Sequence, residues 1–257
     1  ELNDAQRNDL LRQVWGNTGA VFGEYPHLAQ IVKTTYDSRR CELDPATDLE
    51  AYRSGRKRGI FVTGHFGNWE ITAGIAAYMG VPLTVVYTPI KNVFIDRMLR
   101  RRREALGCQL LDRNASLPHL IGALNEGRSL GLIVDHRDDN GVPLPFFGMD
   151  KLTTVVPARL ALRQGCDLLP VRAERLDGAN FRFRIFAQVE PDPSIASPKD
   201  RAAQMMAEVN GLFEQWIRER PEQWLCTKRA WAKDILPAGA PRGAAMPGGA
   251  ATPQTEA

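Results

Sequence analysis

The chain has 257 residues, 44% of them hydrophobic and 25% charged, with a formal net charge of +3. That length suits one large domain with a full core, and the composition excludes a disordered chain. The charge is only mildly basic, so its distribution matters more than its total, and no nucleic-acid partner is expected.

Residues 4–22 and about 25–37 read as helices, with Leu10, Leu11, Val14 and Val21 at helical spacing. The basic cluster "RSGRKR" at 53–58 reads as a surface loop before the first strand. Four short apolar runs follow: "GIFVTG" at 59–64, "LTVVY" at 83–87, "LGLIV" at 130–134 and "DLLPV" at 167–171. Each is too short for a helix and rich in branched residues, as in buried strands of a parallel sheet. Helical patterns lie between them at 69–79, 94–106, 116–126 and 154–164, with Gly127 and Gly165 placed as C-terminal caps. "FRFRIFAQVE" at 181–190 alternates and reads as an antiparallel strand with one wet face. Residues 199–219 form a long helix stopped by Pro221, and the Ala/Gly/Pro-rich stretch 237–257 reads as a disordered tail. Residues 1–236 are thus one domain of α/β class, with a mostly parallel central sheet flanked by helices.

Cys41, Cys108, Cys166 and Cys226 are too far apart for a zinc or redox motif, and three of them lie near apolar segments as buried thiols. No apolar stretch approaches the roughly 18 residues that span a bilayer. The chain begins Glu1-Leu2-Asn3 without a methionine, which leaves room for an anchor ahead of it.

Ligands of open α/β sheets bind beyond the carboxyl ends of the strands. The polar residues there are His65, Lys91, Asp135-His136-Arg137 and Arg172. "VTGHFGNWE" at 62–70 is the most informative stretch. A strand-turn-helix path would put His65 in the turn, Asn68 at the helix cap and Glu70 in its first turn. Gly64 and Gly67 would permit a tight path and close approach of a ligand. His65 is then a candidate general base and Glu70 the carboxylate that fixes its tautomer. The plain alternative is a partly buried histidine beside a capping carboxylate.

Arg100 to Arg103 are successive on a helix, so they cannot share one face, and at least one should turn inward. With the cluster at 53–58 they suit anionic headgroups or an acidic carrier protein. "PLPFFG" at 143–148 reads as an apolar loop that either lines an acyl-chain pocket or folds over the core.

Five blocks in order resemble the late acyltransferases of lipid A biosynthesis. They are "GHFGNWE" at 64–70, "RRREALG" at 101–107, "VDHRDDNGVPLPFFG" at 134–148, "TTVVPARLALRQGCDLLPV" at 153–171 and "PEQWLCTKRAW" at 221–231. The resemblance covers nearly all of residues 4–234. The first block is shared with other glycerolipid acyltransferases. Cys226 stands where an aromatic residue is usual, and Lys228 where a histidine is common. The resemblance implies a glycerolipid acyltransferase-like fold and transfer of an acyl chain from an acyl carrier protein thioester to a hydroxyl of a lipid A precursor. Acyl-CoA is the alternative donor. It implies work at the cytoplasmic face of the inner membrane, against an anionic surface, behind an N-terminal anchor that this chain would lack. It carries over Arg103 and Asp135 as site residues, Arg103 to bind a phosphate and Asp135 to position Arg103 or the acceptor. Asn68 and Arg137 join them as candidate substrate-binding residues. No cofactor or metal is called for, because one histidine and one glutamate are too few for zinc.

Rival readings are an acyltransferase acting on a phosphatidylinositol mannoside or a glycerophospholipid, and a non-catalytic module binding anionic lipid. A thioesterase with Cys108 as nucleophile is a weaker rival, since Cys108 lies at no recognisable nucleophile turn.

Overall fold

A computed structural model describes residues 2–112, 117–226 and 229–231. The tail at 237–257 and Lys228 lie outside the described residues. Nine strands are present among them: β1 (Cys41–Leu43), β2 (Gly59–Thr63), β3 (Leu83–Tyr87), β4 (Gln109–Asp112), β5 (Ser129–Ile133), β6 (Val142–Phe146), β7 (Met149–Thr153), β8 (Asp167–Asp177) and β9 (Asn180–Ile185). Eight helices accompany them: α1 (Asp4–Glu24), α2 (Leu28–Asp37), α3 (Leu49–Arg53), α4 (Glu70–Tyr78), α5 (Val93–Glu104), α6 (Leu117–Asn125), α7 (Val156–Gln164) and α8 (Pro198–Glu219).

Seven strands form one sheet in the order β1-β9-β8-β2-β5-β3-β4. Only the β8–β9 pair is antiparallel, as the alternation of Phe181, Phe183 and Ile185 suggested. Side chains of β2 alternate between two cores. Ile60 and Val62 face one cluster, with α7 and α8, while Phe61 faces the other, with α2 and α4. Both faces of the strand are dry, which is why its sequence is a continuous apolar run. The termini follow local chemistry. Ser197 accepts from the Asp200 amide to start α8, and Asn3 and Gln6 form a capping box on α1. Gly165 closes α7 in the left-handed region, with φ of 61°.

Three expectations change. β8 runs six residues past Val171, so Arg172 lies within a strand rather than at its end, paired with Glu219 at 2.6 Å. The stretch "PLPFFG" is not a loop but the first arm and turn of the β6–β7 hairpin. Pro143 and Pro145 point outward while Leu144 and Phe146 are buried, so the prolines occupy alternate positions of a short two-stranded ribbon. Phe147 and Gly148 form its two-residue turn, both at positive φ. Two thiols rather than three are buried, Cys108 and Cys166, with Cys41 half-buried and Cys226 exposed. No described helix is long and apolar enough to cross a membrane.

Candidate active site

Parallel pairing of β2 with β5 sets Thr63 opposite Ile133. The chain beyond each strand therefore emerges side by side, and the Val134 amide donates to Thr63 O at 2.9 Å. Two residues further on, His65 meets Asp135. The His65 Nδ1 is 2.9 Å from Asp135 Oδ1, and the His65 amide donates to Oδ2 at 3.1 Å. One carboxylate thus fixes both the backbone and the ring of His65. With Nδ1 carrying the shared proton, Nε2 is the nitrogen that can accept another. Close approach requires Gly64, since a Cβ there would lie 2.8 Å from Asp135 Cβ. Gly67 is equally restricted. Its φ is +52°, and a Cβ would meet Ala173 O at 2.1 Å.

Asp135 is 2% exposed. Trp224 Nε1 donates to its Oδ2 at 3.0 Å, and Lys151 Nζ donates to its backbone carbonyl at 3.2 Å. Burial would raise the carboxyl, but the His65 hydrogen bond and charge win and hold it at about 2. It therefore stays ionised. Lys151 itself is fully buried in β7 over the Phe146 ring at 4.2 Å, and burial pushes its ammonium down to about 8.

Glu70 is not the partner of His65. It takes a bidentate pair from Arg103, at 2.8 Å from Nε and 2.7 Å from Nη2, and accepts from the Tyr25 hydroxyl at 2.6 Å and Trp69 Nε1 at 3.1 Å. Burial opposes its charge, yet the Arg103 contacts keep the carboxyl below its usual value. Trp69 lies between the two sites, with its ring edge-on to His65 at 5.0 Å. Glu70 thus braces a wall of the site. Asp135, not Glu70, is the carboxylate bonded to the His65 ring, and Arg103 is held by Glu70 rather than by Asp135. Arg103 is nonetheless the inward arginine of the four and lines the cavity. Asn68 is fully buried, accepts from the Glu70 amide at 3.0 Å and donates to Glu24 at 2.8 Å. It supports the turn and does not line the cavity. Arg137 does line it, held by Asp139 at 2.7 Å and by Trp231 O at 3.3 Å.

Sequence reasoning missed several parts. His136, noted in sequence only as a polar residue past a strand end, stacks on His65, with centroids 4.4 Å apart and planes 20° from parallel. Asn17, Glu24 and Tyr25 tie α1 to Gly67, Asn68 and Glu70, a long-range link with no local signature. The closing block docks on the motif, where Leu225 N donates to His65 O at 3.0 Å. His65, Asp135 and His136 bring ligand atoms within 4.8 Å of one another. Both Asp135 oxygens already accept N–H bonds, so a cation there would have to displace them.

His65 opens onto a cavity of about 720 Å³ at the carboxyl ends of β2, β3 and β5. Its walls include Phe61, Val85, Leu99, Leu106, Leu110 and Leu132, and its polar lining includes His65, Arg103, His136 and Arg137. That is a mostly apolar chamber with a few polar groups in its lining. "PLPFFG" does not contribute to it.

Residues 1–233 match the family profile described as bacterial lipid A biosynthesis acyltransferase. The chain belongs to that family. Among similar proteins is the phosphatidylinositol mannoside acyltransferase of Mycobacterium tuberculosis (strain CDC 1551 / Oshkosh). It is 23% identical over 193 residues, which is 73% of this chain and 58% of that protein. Its counterpart from Mycolicibacterium smegmatis is 25% identical over 177 residues, covering 66% and 56%. The chain therefore matches somewhat over half the length of these relatives. In this chain a mostly parallel sheet flanked by helices puts the histidine motif on the wall of an apolar chamber.

Proposed function

We propose that this protein moves a fatty acyl chain from a thioester to a hydroxyl of a membrane glycolipid. The Asp135-held His65 at the edge of an apolar cavity carries the reading. The arrangement is the base and orienter of a hydrolytic triad with the acceptor hydroxyl in place of the serine. His65 Nε2 takes the proton as the acceptor oxygen attacks the thioester carbonyl. The Asp135 carboxylate stabilises the imidazolium. The carbon–sulfur bond then breaks, and the imidazolium returns its proton to the leaving thiolate. The acyl tail lies among the apolar walls, and Arg103 and Arg137 face the phosphate or sugar end of a substrate.

The family description favours a lipid A precursor as acceptor; the donor of this reading is an acyl carrier protein thioester, and its place of work the cytoplasmic face of the inner membrane. A phosphatidylinositol mannoside is the second reading, favoured by the names of the similar mycobacterial proteins. Incubation of the protein with acyl-carrier thioester or acyl-CoA and each glycolipid, read by mass spectrometry, tests both. One added acyl mass on one acceptor, lost in His65→Ala, is the expected result. Acyl release to water with no acceptor gain would sink the transferase reading.

A further inference from the structure

The described residues expose thirteen large apolar side chains, and eight of them lie on α1 or on residues 90–98. Two more, Ile133 and Val156, line the cavity. Single exposed apolar residues are ordinary, but a grouping around one opening is not. On α1, Leu11, Trp15 and Phe22 fall within about 40° of one another on the helix, and Trp15 is 65% exposed. The stripe ends at Phe22, which lines the cavity mouth. Between Leu10 and Gly23 the helix has one charged residue, Arg12. The second stripe begins at Ile90, also at the mouth, and continues through Val93, Phe94 and Met98, with Phe94 84% exposed. Arg97 and Arg101 continue that face of α5, about 40° apart on the helix, and Arg100 and Arg102 flank it, all four exposed.

We infer that the cavity mouth docks on an anionic bilayer, with α1 and the start of α5 as its apolar contacts and the α5 arginines on headgroup phosphates. This rests on the proposed lipid acceptor and names the surface that meets it. Aromatic and aliphatic side chains beside a cationic helix match the interface between headgroups and acyl chains. An acidic carrier protein would match the arginines but leave the nearly uncharged Leu11, Trp15 and Phe22 stripe without a partner. The cluster "RSGRKR" takes no part. It precedes β2 at the amino end of the sheet, where Arg58 donates to Gln164 O at 2.8 Å, opposite the cavity. An acceptor lipid would enter sideways between Phe22 and Ile90 without leaving the interface.

Co-sedimentation with mixed phosphatidylcholine–phosphatidylglycerol vesicles, across salt, tests the surface. The chain should bind, and part of the binding should survive high salt because part of it is apolar. Trp15→Ser/Phe94→Ser should weaken binding by about tenfold or more, since burying one large apolar side chain matches a tenfold change. Arg97→Glu/Arg101→Glu should weaken it mainly at low salt. A thermal melt confirms that each variant folds. Trp15→Ser/Phe94→Ser should keep turnover on detergent-dispersed acceptor, while His65→Ala should keep vesicle binding and lose turnover, so failure of the surface and failure of the chemistry separate. Unchanged vesicle binding by Trp15→Ser/Phe94→Ser overturns the inference. So does weakened binding of acyl carrier protein with vesicle binding intact, which would make the face a protein dock.

Discussion

Asp135 and Glu70 are two buried carboxylates serving one cavity, and their surroundings give them different work. Glu70 faces a full cationic partner. Its charge is cancelled in a fork with Arg103, and Tyr25 and Trp69 complete its bonds. Asp135 accepts from a histidine ring, an amide and an indole, with its countercharge one bond further away on Lys151. A carboxylate without a permanent cation in direct contact can strengthen a neighbouring base and stabilise its protonated form. A carboxylate locked to arginine cannot do so and serves instead to hold α4, α5 and the turn after α1 together. Sequence proximity thus misleads here, because Glu70 is five residues from His65 and Asp135 is seventy away.

The sharpest way to break that comparison is by activity. His65→Ala should lower turnover by about 10²- to 10⁴-fold with little change in the thermal melt. Asp135→Asn should fall in the same range, because an amide can hold the ring in the wrong tautomer and cannot stabilise its charge. Turnover of Asp135→Asn within a few-fold of the parent would show that the Asp135 charge does not assist His65.

Glu70 should respond in stability instead. Removing one partner of a buried ion pair typically costs about 3–5 kcal/mol, because the other charge is left uncompensated. Glu70→Gln and Arg103→Ala should each melt well below the parent, and the double variant should lose less than the sum of the two. At a temperature where Glu70→Gln is folded, its turnover should stay far above that of Asp135→Asn. Arg103→Ala should be the worse of the pair for activity, since Arg103 also lines the cavity. An additive double variant would mean that the fork is not the unit described.

Much of the frame was readable because it depends on local pattern. β2 appears as a short apolar run since both of its faces are dry, and β3 and β5 appear so because their residues either enter the core or line the apolar cavity. The helical phase that buries Leu99 also turns Arg103 inward and leaves Arg101 exposed. The Asp135–His65 contact was not readable, because it depends on the register of two strands far apart in the chain. Nor was the β6–β7 hairpin, whose Pro143 and Pro145 look like loop residues until their alternation with Leu144 and Phe146 is seen. Lys151 was hidden for the same reason. In sequence it is an ordinary charged residue, and only the hairpin carries it under Asp135.

Lys151 offers the smallest and most discriminating test of how Asp135 is held. Its ammonium is lowered from 10.5 to about 8, first by burial, while the charges of Asp135, Cys226 and Glu214 pull the other way without prevailing. The unfolded chain keeps its proton up to the higher value. Between about pH 8 and 10.5 the unfolded state therefore binds more protons than the folded one, and stability rises with pH across that window. The shift corresponds to a penalty on the order of 3 kcal/mol at neutral pH. Lys151→Met should remove that rise, so its stability curve should lie above the parent near pH 7 and converge toward it by pH 10.5. Groups that do not sense Lys151 cancel in the difference, and making the comparison in a Cys226→Ser background removes the one thiol coupled to it in this window. The same variant deletes the donor to the Asp135 carbonyl, so turnover should fall a few-fold even as the melt improves. Parallel stability curves from pH 7 to 10.5 would show that Lys151 is not held in a dry site. A more stable variant with undiminished turnover would show that His65 and Trp224 suffice to place Asp135.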